Sequence, residues 1–199
     1  MDREAWDERY ATDELVWRAD PNRFLVEEVA GMAPGRALDL ACGEGRNALW
    51  LAQEGWRVVA VDFSRAGLAK GRALAERRGL EASWVEADVL RWAPAPHAFN
   101  LVTVLYLQLP GPDRTRALAT AAAALAPGGA LLVVGHDSTN LAEGFGGPQD
   151  PSVLYGPEDV VADLGDLVVE RAARVRRPVE TPEGVREAVD ALVRARRPG

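Results

Sequence analysis

Cysteine is almost absent: Cys42 is the only one in 199 residues. That excludes an intrachain disulfide framework and any cysteine-cluster metal site. Histidine is scarce as well, with only His97 and His136, so no metal is expected. Lysine is reduced to Lys70, and lysine chemistry would rest on that residue alone. No apolar run reaches the ~18 residues a membrane helix needs. The longest, around residues 117–127, is alanine-rich and ends in proline. The first ten residues are charged and hold no apolar secretory core. Thirty acidic against 23 basic residues leave a net charge of −7, which opposes non-specific attraction to nucleic acid or an anionic membrane. What is present is an ordinary globular composition, 48% apolar, enough for one sizeable core. These exclusions point to an acidic, cytoplasmic, single-domain protein without nucleic-acid or membrane partners. Nothing marks an oligomeric state.

Short β-rich runs alternate with helical patterns from residue 21 onward, which predicts a doubly wound, mostly parallel sheet. A helix is expected over 21–31. Strands are expected over Arg36–Ala41, Trp56–Asp62, Ala82–Ala87, Phe99–Leu107 and Ala130–His136. Helices fit after the glycine turn through Gly55, from the Ser64 cap to Arg78, and over Pro112–Ala126. Residues 137–156 carry no periodicity and read as a lid loop. A short helix follows over Gly156–Gly165, then alternation from Leu167 to Arg176. The tail, Gly184–Arg197, is a helix by propensity and a strand by alternation of Val189, Ala191, Val193 and Ala195.

The strongest local signal is LDLACGEGRNALWLA (38–52), where a strand ends at Asp39-Leu40 and Gly43 and Gly45 precede a helix. Glycine there lets a ligand approach the backbone and the helix N-terminal amides. Two readings fit. Gly43-x-Gly45-x-x-Ala48, with Asp62 after the next strand, fits a dinucleotide site. An S-adenosylmethionine site needs the same loop and ribose acid. It also needs an acid near the methionine amino group and one for the adenine amino group. Asp39 and Asp88 follow the first and third strands, as that requires. Three carboxylates after three successive strands would converge at the C-terminal edge of a parallel sheet.

At these residues the chain resembles the class I S-adenosylmethionine-dependent methyltransferases. The resemblance rests on ALDLACGEG (37–45), VVAVDFS (58–64), EADV (86–89), FNLVTVLYLQLP (99–110) and LAPGGALLVV (125–134). CGEGRNALWLA, with WDERY (6–10) upstream, is similar to the small-molecule subgroup of tellurite-resistance and thiopurine methyltransferases. In one departure, Ala41 stands where the commoner loop has glycine. The resemblance implies a Rossmann-like α/β fold with a seven-stranded sheet, mostly parallel, ending in an antiparallel hairpin. That decides the tail, with a hairpin from Leu167 and a last strand over about Val189–Arg196. It implies a helical cap over 1–34, a cofactor-binding core over 35–137, and a lid and hairpin over 138–199.

By the same resemblance, Asp62 would hold the ribose hydroxyls, Asp39 the methionine amino group and Asp88 the adenine. Phe63 and Val89 would sandwich the ring, and Gly43 and Gly45 would admit the methionine part. Ala41, Arg46, Ser64 and Val104 complete the implied cofactor set. Arg46 at a helix start also suits an anionic ligand. His136 and Tyr106 are the candidates on the acceptor side, with Gln108, Phe145 and Tyr155 on bordering segments. A small-molecule acceptor would take the methyl by in-line displacement. An oxidoreductase using NAD(P) and a non-catalytic nucleoside-binding regulator remain the rivals. The dehydrogenase pair Tyr-x-x-x-Lys is absent around Lys70. A strand-end carboxylate contributes little to a core, so Asp62→Ala is expected here to weaken cofactor binding and spare the fold.

Overall fold

The computed structural model describes residues 3–12, 14–16 and 20–199. Two helices, α1 (Arg3–Tyr10) and α2 (Arg23–Val29), precede the sheet. The chain then alternates β1 (Arg36–Leu40), α3 (Arg46–Gln53), β2 (Arg57–Asp62), α4 (Arg65–Arg78) and β3 (Ser83–Glu86). It continues with β4 (Phe99–Leu105), α5 (Gly111–Ala124) and β5 (Leu125–His136). Two short helices, α6 (Asn140–Glu143) and α7 (Pro157–Asp163), lead into β6 (Val168–Thr181) and β7 (Gly184–Arg196).

The seven strands form one sheet in the order β3-β2-β1-β4-β5-β7-β6. The first five run parallel, and β7 enters antiparallel between β5 and β6. This is the mixed α/β sheet expected from the alternation and the resemblance. Order reverses beside β1, so β1, β2 and β4 open their C-terminal ends onto one crevice, where ligands bind such sheets.

Successive side chains along each inner strand go to opposite faces. Leu38, Leu40, Val102, Val104, Leu131 and Val133 join α5 and α7 in one core. Ala37, Leu101, Leu105, Ala130, Leu132 and Val134 join α2, α3 and α4 in the other. The larger of these side chains each contribute about 1.5–3 kcal/mol of burial. Both faces are covered, which is why β4 reads as a nearly continuous apolar run.

Several boundaries differ from the sequence reading, and β5 begins at Leu125, five residues before the expected Ala130. β4 stops at Leu105 because Tyr106 takes φ 59 and turns the chain out of the strand. The hairpin is longer than expected, with β6 reaching Thr181 and β7 starting at Gly184. Residues 137–156 are anchored at their two ends, while most of 141–152 is exposed. Asn140 holds Gly146 O and the Val189 amide through its side chain, a 3-10 turn spans Pro151–Val153, and Leu154 and Tyr155 are buried. Periodicity missed this segment because its anchors are side-chain hydrogen bonds to the backbone.

Candidate active site

β1 ends inside the crevice at Asp39, which is 1% exposed. Thr103, its register partner on β4, donates its hydroxyl to Asp39 Oδ1 at 2.8 Å. Oδ2 is buried with no hydrogen-bond partner. Burial, with repulsion from Asp62, pushes this carboxyl up to about 7. An unpartnered carboxylate oxygen sealed from water is costly unless a donor arrives.

The loop after β1 turns on left-handed residues. Gly43 has φ 55 and Gly45, the N-cap of α3, has φ 79. A methyl group on Gly43 would sit 2.7 Å from the Tyr10 hydroxyl, and one on Gly45 would collide with the Trp84 ring. Both glycines are therefore fixed by space as well as by φ. Ala41 also has a positive φ, 58, at the position where glycine is commoner. A left-handed alanine costs roughly 1–2 kcal/mol, and glycine would return roughly 0.4–1 kcal/mol of that as unfolded-state entropy. Ala41→Gly should therefore raise the melting temperature by about 0–6 °C. A lower melting temperature in a thermal scan would show that the alanine is not strained.

β2 delivers Asp62, 5% exposed, to the same loop. Its Oδ2 accepts from the Gly43 amide and its Oδ1 from the Ser64 amide, each at 2.8 Å. Each oxygen keeps a lone pair for a further donor. Burial holds this carboxyl above its ordinary value, against the pull of those two amides. Ser64 is fully buried and caps α4, accepting from the Gly67 amide and donating to Asp7 of α1. Phe63, half-buried, lies between them in sequence.

Asp88 turns its own loop: its Oδ1 accepts from the Leu90 amide at 2.9 Å, and Oδ2 lies 3.7 Å from Arg91. Val89 is 8% exposed beside it, and Val104 is sealed in the core. Arg46 opens α3 and, among the described residues, has no hydrogen-bond or ion-pair partner. Burial lowers its basicity, while Tyr106 and Asp39 act to raise it and Arg177 to lower it.

A second cluster lies at the ends of β4 and β5. The Tyr106 and His136 ring centroids are 4.9 Å apart. Tyr106 donates its hydroxyl to Asp190 at 2.8 Å, and Arg177 Nε contacts both Tyr106 Oη, at 3.0 Å, and Asp190, at 2.8 Å. Burial pushes the phenol up, with the Asp190 charge adding to it. Burial holds the imidazole below its ordinary value, so it is neutral at pH 7. Gln108 accepts from the His136 amide and donates to Val153 O. Tyr155 is a core residue, and Phe145 is an exposed ring under Arg186.

These features meet known proteins at the same residues. A family described as "Methyltransferase domain" matches residues 37–129, the stretch that holds Asp39, the glycine loop, Asp62 and Asp88. Residues 37–129 are similar to a methyltransferase domain. Over 123 residues it is 40% identical to a demethylmenaquinone methyltransferase of Thermus thermophilus, covering 61% of this chain and 54% of that one. The chain thus spans about half the length of that curated relative. A solved structure described as "Conversion of a Disulfide Bond into a Thioacetal Group during Echinomycin Biosynthesis" superposes with TM-score 0.81 at 22% identity, over 98% of this chain and 91% of the other. The N-methyltransferase NodS of Bradyrhizobium japonicum, solved with S-adenosyl-L-homocysteine, gives TM-score 0.73 at 20% identity, over 99% and 98%. At those identities the structures speak for the fold.

Within the matched stretch Asp39, Gly43, Gly45 and Asp62 gather at one loop. Asp88 and Val89 stand at the end of the next strand out, and Tyr106, His136 and the Arg46 charge lie toward β4 and β5. Sequence reasoning missed Arg177 and Asp190, which sit on opposite strands of the hairpin and meet only through its pairing. An acid within the apolar run of β7 was the available signal. No described helix is long and apolar enough to cross a membrane.

Proposed function

We propose that this protein transfers a methyl group from S-adenosylmethionine to a small-molecule acceptor bound beside Tyr106 and His136. The observation that carries the reading is the orphaned Oδ2 of Asp39 at the glycine loop. It is an acceptor waiting for a donor, and the cofactor's ammonium group supplies one. A dinucleotide would instead bring a pyrophosphate to this loop, against the buried Asp39 carboxyl, while Asp62 would serve the ribose in either reading. Asp62 has a lone pair on each oxygen for the ribose hydroxyls, and Asp88, whose Oδ2 pairs loosely with Arg91, is the acid for the adenine amino group. Phe63 and Val89 flank that position, and Arg46 offers its charge to a carboxylate.

Bound S-adenosylmethionine supplies an electrophilic sulfonium methyl; the chain supplies orientation, desolvation and a base. His136 is the neutral base on the acceptor side, and Tyr106 shapes the pocket. The net charge of −7 favours a small acceptor over a nucleic acid. The lone buried cysteine fits a reducing cytoplasm.

Calorimetry with S-adenosylmethionine, S-adenosylhomocysteine, NAD and NADP tests the reading. Both sulfur nucleosides are expected to bind, with the product competing against the substrate. Tight binding of a dinucleotide with neither sulfur nucleoside would overturn it. Binding without turnover on any phenol, thiol or amine would favour the regulator.

A further inference from the structure

The hairpin carries a carboxylate to the acceptor end that no cofactor contact uses. Asp190 lies on β7 opposite His136 of β5 and is 0% exposed. Its Oδ2 is occupied by the Tyr106 hydroxyl and Arg177 Nε. Its Oδ1 faces His136 Nδ1 at 3.4 Å. Both of those atoms are sealed from solvent, and neither makes a hydrogen bond to the other or to any other described group. A buried carboxylate oxygen facing a buried ring nitrogen is satisfied only when that nitrogen carries a hydrogen. The hydrogen bond made by one ring nitrogen decides the state of the other. Nε2 is then the nitrogen with the free lone pair, on a side chain that keeps 16% of its surface exposed.

We propose that Asp190 is the positioning residue of the acceptor centre, fixing His136 in its Nδ1–H form so that Nε2 is presented as the base to an acceptor bearing an O–H or N–H proton. The proposal rests on the reading that the acceptor binds beside Tyr106 and His136. The acceptor's proton passes to Nε2, and the pair from the broken O–H or N–H bond becomes its bond to the methyl carbon. The pair that held the methyl stays with sulfur. The resulting imidazolium is held against Asp190.

The other groups around the ring fit this role. Arg177 of β6 offsets the Asp190 charge, and the Tyr106 ring lies tilted beside the imidazole at the end of β4. Gly147 leaves the room the ring needs, since a methyl there would lie 2.8 Å from Nδ1. Arg46 of α3 adds positive charge toward Tyr106 and Arg177. An acceptor that is already an anion would gain nothing from this base. The centre is built for acceptors that must lose a proton as they react.

Nitrogen-15 NMR of the imidazoles tests the proposal without cofactor or acceptor. The chain has only two histidines, so His97→Gln assigns the spectrum. Neutral His136 is expected to carry its hydrogen on Nδ1, although free imidazole side chains favour Nε2–H. In Asp190→Asn the lost charge should lower the His136 titration midpoint, and the Nδ1–H share should fall. A purely structural Asp190 would leave the tautomer unmoved. Nε2–H in the unaltered protein, or an unchanged midpoint and tautomer in folded Asp190→Asn, would overturn the proposal. If Asp190→Asn fails to fold, the tautomer of the unaltered protein decides. Titration with S-adenosylhomocysteine reports separately on the functional reading, so the two cannot fail as one.

Discussion

Asp39→Asn should melt at a higher temperature than the unaltered protein and bind S-adenosylhomocysteine roughly 30- to 1,000-fold more weakly. The binding loss follows from the orphaned Oδ2. A charge-assisted bond between carboxylate and ammonium in a buried site contributes about 2–4 kcal/mol, which corresponds to that range of affinity. The amide keeps an oxygen for the Thr103 hydroxyl, so the local packing survives. The gain in stability comes from the carboxyl itself. Its ordinary value is 3.8, and burial raises it to about 7 in the folded chain. The folded state therefore holds a proton between those values that the unfolded state gives up. This group's contribution to stability is full below pH 3.8 and is lost as pH rises through 7. Asparagine removes that loss, so the difference in melting temperature should be small at pH 4 and large at pH 8. The same linkage makes cofactor binding pH-dependent. Only the ionised carboxyl pairs with ammonium, so affinity should rise roughly fivefold from pH 6 to pH 7 and flatten above, with proton release in calorimetry. Equal affinity at pH 6 and pH 8, or an Asp39→Asn protein that binds normally, would remove the ammonium from this position.

The residues of this crevice differ in how far sequence reveals them, and the difference is physical. Asp39, Gly43, Gly45 and Asp62 were legible because each answers to a local rule. Strand ends carry the acids, and left-handed turns demand glycine. β7 was harder, since REAVDALVRARR favours a helix on its own. It is a strand because both its edges are paired and residues 188–193 are buried between β5 and β6. The seven-stranded resemblance, not propensity, decided that element. Asp190 and Arg177 were illegible for a related reason: they lie 13 residues apart along the chain and come together only in the hairpin. The anchoring of 137–156 was hidden in the side chain of Asn140, and no periodicity records a side chain that bonds to distant backbone.

Asp62→Ala is the variant for which the structure reverses the sequence expectation. A solvated strand-end carboxylate would leave the fold intact. Here both oxygens accept buried backbone amides, Gly43 N and Ser64 N, each at 2.8 Å. Removing the acceptor leaves two buried donors unmet, at about 1–3 kcal/mol each. The loss is therefore about 2–6 kcal/mol, or a melting temperature lower by about 4–24 °C. The glycine loop and the first turn of α4 should loosen together, because Asp62 is the group that ties them. Asp62→Asn offers little relief. Its amide oxygen accepts from one backbone N–H, but its NH2 group then meets the other, donor against donor. Asparagine should thus destabilise by more than half of the alanine effect. Cofactor affinity should fall in both variants, and by more than the ribose contacts alone account for, since the loop that cradles the methionine part is no longer held. A melting curve for each apo protein, followed by titration with S-adenosylhomocysteine well below the lower midpoint, separates the two effects. Full stability with weakened binding would mean that Asp62 serves the ligand alone. Lost stability with undiminished binding would mean that it serves the loop alone. The hydrogen bonds to Gly43 and Ser64, with a lone pair left on each oxygen, predict that both fall together.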